Sequence, residues 1–497
     1  MNRWRIAGLV LLAIFASWFA LRSCAPAPPP APSEPAPPRE HFHAAKALSV
    51  RVSYADAAAA SDDLGWLQRE LRYLLIHGQM RVAPVDASAY ALQIELTQAL
   101  PSQATLKLVA PGGTVERTQS IELQQQPLAV LRELATVLPE FLGAAPARND
   151  WLSLLGTEDA DAYQDYLRSS NEVLGRQGQG FVRPRLAEGS PTIDRLETLT
   201  QRHPRFARAW GLLSIAYLSL GGKDESSLTQ LADAAAERAL ALDATLTDAQ
   251  AAEGLVHLRR SEWSAALEQF EKTLTVDANA AAALEGLACL LVDVGHDAAA
   301  LPIARRAVAV QPGNAGAREC LIYAELAGGL DPTAAATTSL PMAAKQVIAM
   351  NAMLKGEHAL ARSVLSAQGS TQPAWIASWL NAATDERKTS QALQAVTAAA
   401  SEQAIDPVTE VVCGAGLRQA DFVFNRLSRL HKQNQPLPLR VLWLPQTRYL
   451  REHQRFEEIV TTAALSPFWQ DHGAPDACST EPDTYGCSIK NKGQKSD

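Results

Sequence analysis

The sequence predicts a mainly α-helical protein: a solenoid of helical hairpins, preceded by a small α/β domain and by an N-terminal membrane anchor. Three observations support this prediction. Helical segments recur at a constant spacing through the middle of the chain, strand-like alternation is confined to the region before them, and an uncharged run lies near the amino terminus. A chain of 497 residues exceeds the size at which one hydrophobic core keeps growing, so several folding units are expected.

The composition is that of a globular, helix-rich protein. Hydrophobic residues make up 47% of the chain and charged residues 20%, and alanine, a strong helix former, is abundant. The formal net charge of -8 contains no long block of one sign, so the sequence offers no basic stripe that could grip phosphates. We therefore expect no nucleic acid among its partners.

Residues 1–24 are predicted to form a signal anchor. Arg3 and Arg5 precede an uncharged run from Ile6 to Leu21, which is somewhat shorter than the ~20 residues that usually span a bilayer. Flanking residues can extend the run by snorkelling to the interface. The positive flank keeps the amino terminus in the cytoplasm and sends the rest of the chain across the membrane.

Two alternatives for this segment remain open. Small residues near Ala25 and Ala27 are candidates for cleavage of a signal peptide, although the prolines around them normally impede cleavage. The sequence LRSC resembles a bacterial lipobox ending at Cys24, although Arg22 stands where a small neutral residue is usual. In each case, the residues that follow leave the cytoplasm.

Residues 25–44 form a Pro-rich linker that begins APAPPPAPSEPAPPRE. Such a sequence cannot form helix or sheet and extends as polyproline II at about 3.1 Å per residue. It is expected to act either as a stalk of roughly 40 to 50 Å or as a linker of no specific length.

Residues 45–145 are predicted to fold as a small α/β domain in the order β-α-β-β-β-β-α. ALSVRVSYA alternates like a strand, DDLGWLQRELRYLLIHG has helical spacing, and MRVAPVD is a second short strand. Three further strands follow, with a turn at Gly112 and Gly113, and PLAVLRELATVLPEFLG closes the domain as a helix. A strand, a helix and a strand in succession permit a parallel pair, so helices should cover one side of the sheet.

Residues 151–440 are predicted to form the solenoid. The segments ALALDA, TLTVDA and AVAVQP end near Asp243, Asp277 and Gln311, at a constant spacing of 34 residues. A period of this size is typical of stacked helical hairpins, because one hairpin cannot bury its apolar face without a neighbour. The segment WSAALEQFEKTLTVDA is therefore predicted to be the second helix of one repeat.

The repeated segments resemble the tetratricopeptide repeat family, and clear copies cover about residues 204–326. The family's small residue in the second helix matches Ala232, Ala266 and Ala300, and its later bulky residue matches Phe270. Its helix-ending proline matches Pro204 and Pro312. Its first-helix pattern of large, apolar, small and aromatic residues matches Trp210, Leu213, Ser214 and Tyr217. Ala236 and Ala304 depart from the pattern, since a Phe is usual there. The loop GGKDES lengthens its repeat by six residues.

Two flanking segments are similar to bacterial proteins that pair a TolB-like amino-terminal domain with tetratricopeptide repeats. TEDADAYQDYLRSS resembles the helix that opens the array in that group. The C-terminal segment, residues 441–497, resembles its closing part, with matches at Arg455, Phe456, Leu465, Trp469 and Cys478. The resemblance implies a bacterial protein. The anchor and the stalk then predict a protein held in the inner membrane, with the bulk of the chain in the periplasm. A helix that the resemblance implies near Asp86 to Tyr90 is missing from the sequence pattern.

No enzymatic constellation is apparent, so we expect a non-enzymatic protein without cofactor or metal. His-Glu-x-x-His, Cys-x-x-Cys and Gly-x-Ser-x-Gly motifs are absent from the sequence. A few side chains could bind a metal but are more simply interpreted as solvated. They are His41, His43, Asp471, His472 and Asp476.

The cysteines divide by context. Cys289, Cys320 and Cys413 lie in apolar helical surroundings and are interpreted as small core residues. Cys478 and Cys487 flank a polar loop, and export permits oxidation, so we predict a disulfide bond between them.

The binding surface is predicted to be the inward face of the first helices. In the 34-residue register, this face carries Arg208, Ile215, Leu255, Glu285, Glu319 and Tyr323. It suits an internal segment or a folded domain of a protein partner. Alternatively, Ile215 and Leu255 pack between hairpins and Arg208 is solvated. As surface residues, Arg208 and Glu319 should tolerate charge reversal with little loss of stability.

Together, these features predict a membrane-tethered periplasmic scaffold that binds a protein or peptide partner through its repeats. One alternative is the periplasmic sensor component of a transmembrane regulatory system that lacks its own DNA-binding domain. Another is an envelope-assembly lipoprotein anchored at Cys24.

Overall fold

The computed structural model describes residues 48–55, 64–78, 80, 82, 89–97, 103–124, 126–143, 151–174, 189–220, 225–330, 340–366, 373–402, 404–433 and 435–479. The predicted anchor, residues 1–24, and the linker, residues 25–44, lie outside them. Among the helices of the described residues, none combines the length and the apolar character needed to cross a bilayer.

The amino-terminal domain contains one four-stranded sheet and two helices. The strands are β1 (Leu48–Tyr54), β2 (Tyr90–Leu96), β3 (Gln103–Val109) and β4 (Val115–Glu122), and the helices are α1 (Gly65–His77) and α2 (Pro127–Phe141). The strands lie side by side in sequence order. β1 and β2 pair in parallel, whereas β2, β3 and β4 are antiparallel. The sequence predicted MRVAPVD, the segment before β2, as the parallel partner of β1.

Most of the predicted strand MRVAPVD lies outside the described residues, which include only Met80 and Val82 of that segment. Val82 forms an isolated parallel bridge to Leu48. Among the described residues, the sheet has four strands.

Residues on β2 and β3 alternate between buried and half-buried positions, so one face of the sheet packs into the core. Ile94 and Leu106 are fully buried there, in the same core as Leu71 of α1 and Leu134 of α2. The helices thus cover one face, as predicted.

Two helices, α3 (Ala160–Val173) and α4 (Pro191–Arg202), connect this domain to the solenoid. The first helices of the next four repeats are α5 (Ala207–Leu218), α7 (Thr247–Arg259), α9 (Ala281–Asp293) and α11 (Ala315–Ala327). The second helices of three of them are α6 (Glu225–Leu242), α8 (Trp263–Val276) and α10 (Asp297–Val310). Helices α7, α9 and α11 begin 34 residues apart, which confirms the predicted period. Helix α8 is the predicted second helix.

Further helices extend the solenoid. They are α12 (Met342–Lys355), α13 (His358–Leu365), α14 (Ala374–Ala382), α15 (Thr389–Ser401), α16 (Pro407–Gly416) and α17 (Ala420–Lys432). The fold is therefore mainly α-helical, with stacked hairpins following the small sheet domain.

After α17 the chain turns back onto the hairpins. Residues 437–444, which we call the strap, are all buried. Three short helices follow: α18 (Arg448–Arg451), α19 (Phe456–Thr462) and α20 (Leu465–His472). The indole N–H groups of Trp443 and Trp469 donate to the carbonyls of Asp293 and Val294, over 2.8 and 2.9 Å.

Gly295, in the turn between α9 and α10, permits this return. Its φ is +82°, a conformation that glycine adopts without strain. A Cβ atom there would lie 2.6 Å from Pro475 and 3.0 Å from Trp443. The turn therefore requires glycine both for its conformation and for the close approach of the C-terminal segment.

Phe270, on α8, shows how tightly the hairpins stack. Its ring is fully buried against Gly254 of α7 and Gly286 of α9. A Cβ atom at either glycine would overlap the ring, so the missing side chains are what let one aromatic residue fill the space between two first helices.

Replacing Gly286 by Ala should destabilise the protein by about 1 to 3 kcal/mol through overpacking against Phe270. A glycine-to-alanine change inside a helix would otherwise stabilise it by roughly 0.5 to 1 kcal/mol. Chemical denaturation measures the difference. Gly328→Ala is the control, because a Cβ atom there meets only ordinary contacts; equal stability of the two variants would contradict the packing argument.

Candidate functional site on the inward face of the solenoid

The six residues predicted to bind a partner lie on the first helices, and the structure buries all of them. Arg208, the most accessible, is only 6% exposed, and Glu285 and Tyr323 are fully buried. The premise that this face is open to solvent has to be corrected. Helix α1 covers the face at the amino-terminal end of the solenoid, and the strap covers it further along.

Arg208 binds the α/β domain. Its Nη1 and Nη2 atoms lie 2.8 Å and 2.9 Å from the two carboxylate oxygens of Glu70 on α1. Nη1 also donates to the Tyr163 hydroxyl over 3.1 Å. The guanidinium carbon lies 3.9 Å from the ring centroid of Tyr73 and 4.8 Å from that of Tyr166. This guanidinium is fully engaged within the chain, so the alternative that Arg208 is solvated is wrong.

The electrostatics of this cluster keep it in one protonation state. Burial by itself lowers the pKa of Arg208, but the Glu70 carboxylate together with Tyr166, Tyr163 and Tyr73 more than offsets this, and the pKa lies well above its ordinary value. Burial, reinforced by the charge of Glu70, raises the pKa of Tyr163 well above 10. The arginine therefore stays charged, and the Tyr163 hydroxyl stays protonated and donates a hydrogen bond to the Glu70 carboxylate.

Arg440, in the strap, forms the second cluster. Its Nε and Nη2 atoms donate to the two carboxylate oxygens of Asp293 on α9, over 2.9 and 2.7 Å, and its backbone N–H donates to the same carboxylate over 3.1 Å. Nη1 lies 3.8 Å from Glu319 on α11. Burial raises the pKa of Asp293 even though Arg440 opposes the shift. The predicted binding residue Glu319 therefore faces a cation of its own chain.

The remaining predicted residues pack between hairpins. Glu285 accepts a 2.7 Å hydrogen bond from the Asn314 amide, whose oxygen in turn caps α11 at the Ala317 N–H. Ile215 and Leu255 are 1% and 3% exposed, which agrees with the alternative that they hold neighbouring hairpins together.

Cys289 and Cys320 are joined in a disulfide bond, which corrects their interpretation as small core residues without a bond. The bond links α9 to α11, the first helices of successive repeats. A signal was present in the sequence: their separation of 31 residues falls short of the 34-residue period by about one helical turn, so both face the same way on neighbouring helices. Cys413 is buried and free, as interpreted.

Cys478 also takes part in a disulfide bond. Cys487, its predicted partner, lies outside the described residues, so this pairing stays a prediction. Cys24 lies outside them as well.

The candidate metal ligands have other contacts. His472 lies 3.2 Å from the Ser264 hydroxyl, and the Asp476 carboxylate accepts a hydrogen bond from the Ala298 N–H at the start of α10. Within the described residues, no three His, Cys, Asp or Glu side chains are grouped as metal ligands. His41 and His43 lie outside those residues.

A cavity of about 710 Å³ opens beside Arg208, where α1 and α2 meet the solenoid. Its walls include Arg132 and Arg205 but also Glu133 and Asp243. Because charges of both signs alternate around it, the lining favours no single class of ligand.

Comparison with known proteins leaves the family open. No protein-family model matches the chain, and no curated protein matches it either. Among solved structures, it is similar to the crystal structure of the tetratricopeptide-repeat domain of P58(IPK), with 14% identity over 68% of this chain and 100% of that one, and a TM-score of 0.18. A similarity with so low an identity and TM-score does not establish the family or the function of this chain.

Replacing Arg208 by Ala should destabilise the protein by about 3 to 5 kcal/mol, because Glu70 is left buried without a cation. This reverses the expectation from the sequence that the position tolerates change. The double variant Arg208→Met/Glu70→Gln should recover part of the loss, since it removes both charges. Arg205→Ala, at an exposed neighbour, is the control. Thermal unfolding of the three proteins checks the order, and an Arg208→Ala variant as stable as Arg205→Ala would refute it.

Proposed function

We propose that this chain is a non-enzymatic scaffold that binds another protein, held at a membrane by its N-terminal segment. Stacked helical hairpins present large surfaces and commonly bind proteins or peptides. The resemblance of the repeats to the tetratricopeptide family, and of the flanking segments to the TolB-like group, supports the same class.

The open edge of the sheet is the observation from which we locate the binding surface. The inward side chains of the first helices already contact other parts of the same chain, so a partner has to bind elsewhere. β4 is the last strand of the sheet, and all of its residues except Ile121 are exposed. Its outer row of backbone N–H and C=O groups can receive an added strand from an extended protein segment.

Charge on β4 indicates the chemistry of that segment. Arg117 is turned away, because its guanidinium donates to the carbonyls of Glu140 and Phe141 at the end of α2. Glu116 accepts a 3.2 Å hydrogen bond from the Tyr90 hydroxyl but remains exposed, and Glu122 is exposed as well, so β4 carries two exposed carboxylates. Pairing with a second copy of this strand would bring acidic residues together, whereas an extended segment with Lys or Arg opposite them would be complementary. The proposed partner is therefore a basic, extended segment of another protein.

A photo-crosslinking residue at Thr118, on β4, tests this site in cells. We expect it to trap one partner through a basic peptide that mass spectrometry of the crosslinked product identifies. The variant Glu116→Lys/Glu122→Lys should reduce that product at least ~10-fold while unfolding like the unaltered protein, because surface substitutions change stability by less than about 0.5 kcal/mol.

The matched control is Glu237→Lys/Glu268→Lys, which makes the same charge change at exposed positions of α6 and α8. It should leave the Thr118 crosslink unchanged. A crosslinker at Glu268 that traps the partner, with none trapped from Thr118, would move the site to the second helices and refute the strand-addition site.

The proposed location is the bacterial inner membrane, with a single anchor at residues 1–24 and the rest of the chain in the periplasm. The positive flank and the apolar run support it. The bond between Cys289 and Cys320, together with the disulfide at Cys478, also favours an oxidising compartment. Anchoring through a lipid on Cys24 is the alternative.

A reporter enzyme fused after Pro38 tests this location. A reporter active only in the periplasm should work there, because Arg3 and Arg5 hold the amino terminus inside. The fusion should also sediment with membranes. Activity of a cytoplasm-only reporter would overturn the proposal, and release of a Cys24→Ser variant from membranes would establish the lipoprotein alternative.

A further inference from the structure

We infer that the Cys289–Cys320 bond forms before the strap docks, so that a disulfide-exchange reaction must act on this chain while its inward face is still open. Both cysteines are fully buried. The strap lies directly over the bond, with Arg440 Nη1 3.1 Å from the Cys320 sulfur and 3.9 Å from the Cys289 sulfur. The guanidinium occupies the inward approach to both sulfurs.

The chemistry requires that approach to be open. Two cysteine thiols and a disulfide-bearing oxidant exchange through a mixed disulfide; one protein S–S bond forms, the oxidant's S–S bond breaks, and two oxidant thiols leave. Each step needs a thiolate in contact with the sulfur that it attacks. While Arg440 is seated, no such group can reach Cys289 or Cys320 from the inward face. Reduction passes through the same contacts in reverse and meets the same obstacle.

Burial and hydrogen bonds hold the strap firmly against the first helices, so it does not open readily in the folded protein. All of its residues are buried, and Asp293 accepts three hydrogen bonds from Arg440. Trp443 adds a bond to the carbonyl of Asp293. Lifting the strap would break the Arg440–Asp293 ion pair and expose buried apolar residues such as Leu439, Val441 and Leu442 to water, which is strongly unfavourable.

The order of the chain permits the sequence of events. Cys289 and Cys320 both precede Arg440, so the helices that carry them are synthesised before the strap. The oxidant therefore meets the two thiols on helices α9 and α11 before the C-terminal segment covers them. Once the strap is in place, the bond is kinetically protected and does not act as a redox switch.

Reduction of the folded, full-length protein tests this inference without reference to any partner. The oxidised protein is treated with dithiothreitol under native conditions, new thiols are trapped with a maleimide, and peptide mapping follows Cys289 and Cys320 separately from Cys478. We expect reduction of the Cys289–Cys320 bond to be at least ~100-fold slower than in the urea-unfolded protein. Reduction as fast as in the unfolded protein would overturn the inference.

Variants identify the strap as the cover. Trp443→Ala should accelerate reduction at least ~10-fold compared with Leu134→Ala, a core truncation in the distant α/β domain, when the two are compared at equal distance below their melting temperatures. Arg440→Lys is the second variant, to be used if Trp443→Ala does not fold. It keeps the positive charge but removes the guanidinium group from above the disulfide, so it should also accelerate reduction. Strap variants that are reduced no faster than Leu134→Ala would refute the inference.

Discussion

A buried charge must meet a partner of opposite sign, and this requirement decides how both ends of the chain lie on the solenoid. The first helices direct Arg208, Asp293 and Glu319 inward, where an open groove would leave them in water. Instead, Glu70 of the α/β domain neutralises Arg208, and Arg440 of the strap lies between Asp293 and Glu319. Each of these inward charges therefore depends on a segment outside its own helix for its partner.

The same contacts change the character of the solenoid. In a simple repeat array, each hairpin contacts only its neighbours, so stability is close to a sum of local terms. Here, the Trp263 indole donates to the Ala463 carbonyl across 200 residues of sequence, and Arg440 reaches Asp293 across 147. The disulfide bond between Cys289 and Cys320 adds a covalent link between successive first helices. These long-range contacts join the hairpins, the sheet domain and the C-terminal segment into one unit.

For the proposed function, the consequence is that the inward surface stabilises the fold and leaves only the outward surfaces for a partner. The polar and charged inward side chains form their hydrogen bonds and ion pairs with α1 and with the strap. β4 has no such cover among the described residues, and its exposed carboxylates give it a definite chemical preference.

By itself, the sequence determined features whose causes are local or periodic, above all the 34-residue register of α7, α9 and α11. It also placed Arg208 and Glu319 on first helices, where the structure has them. Only the tertiary structure decided what covers the inward face of those helices. A buried arginine and a solvated one look alike in sequence, and the carboxylate that Arg208 meets lies 138 residues away. The spacing of Cys289 and Cys320 is visible in the sequence, but the two cysteines become neighbours only when successive first helices stack.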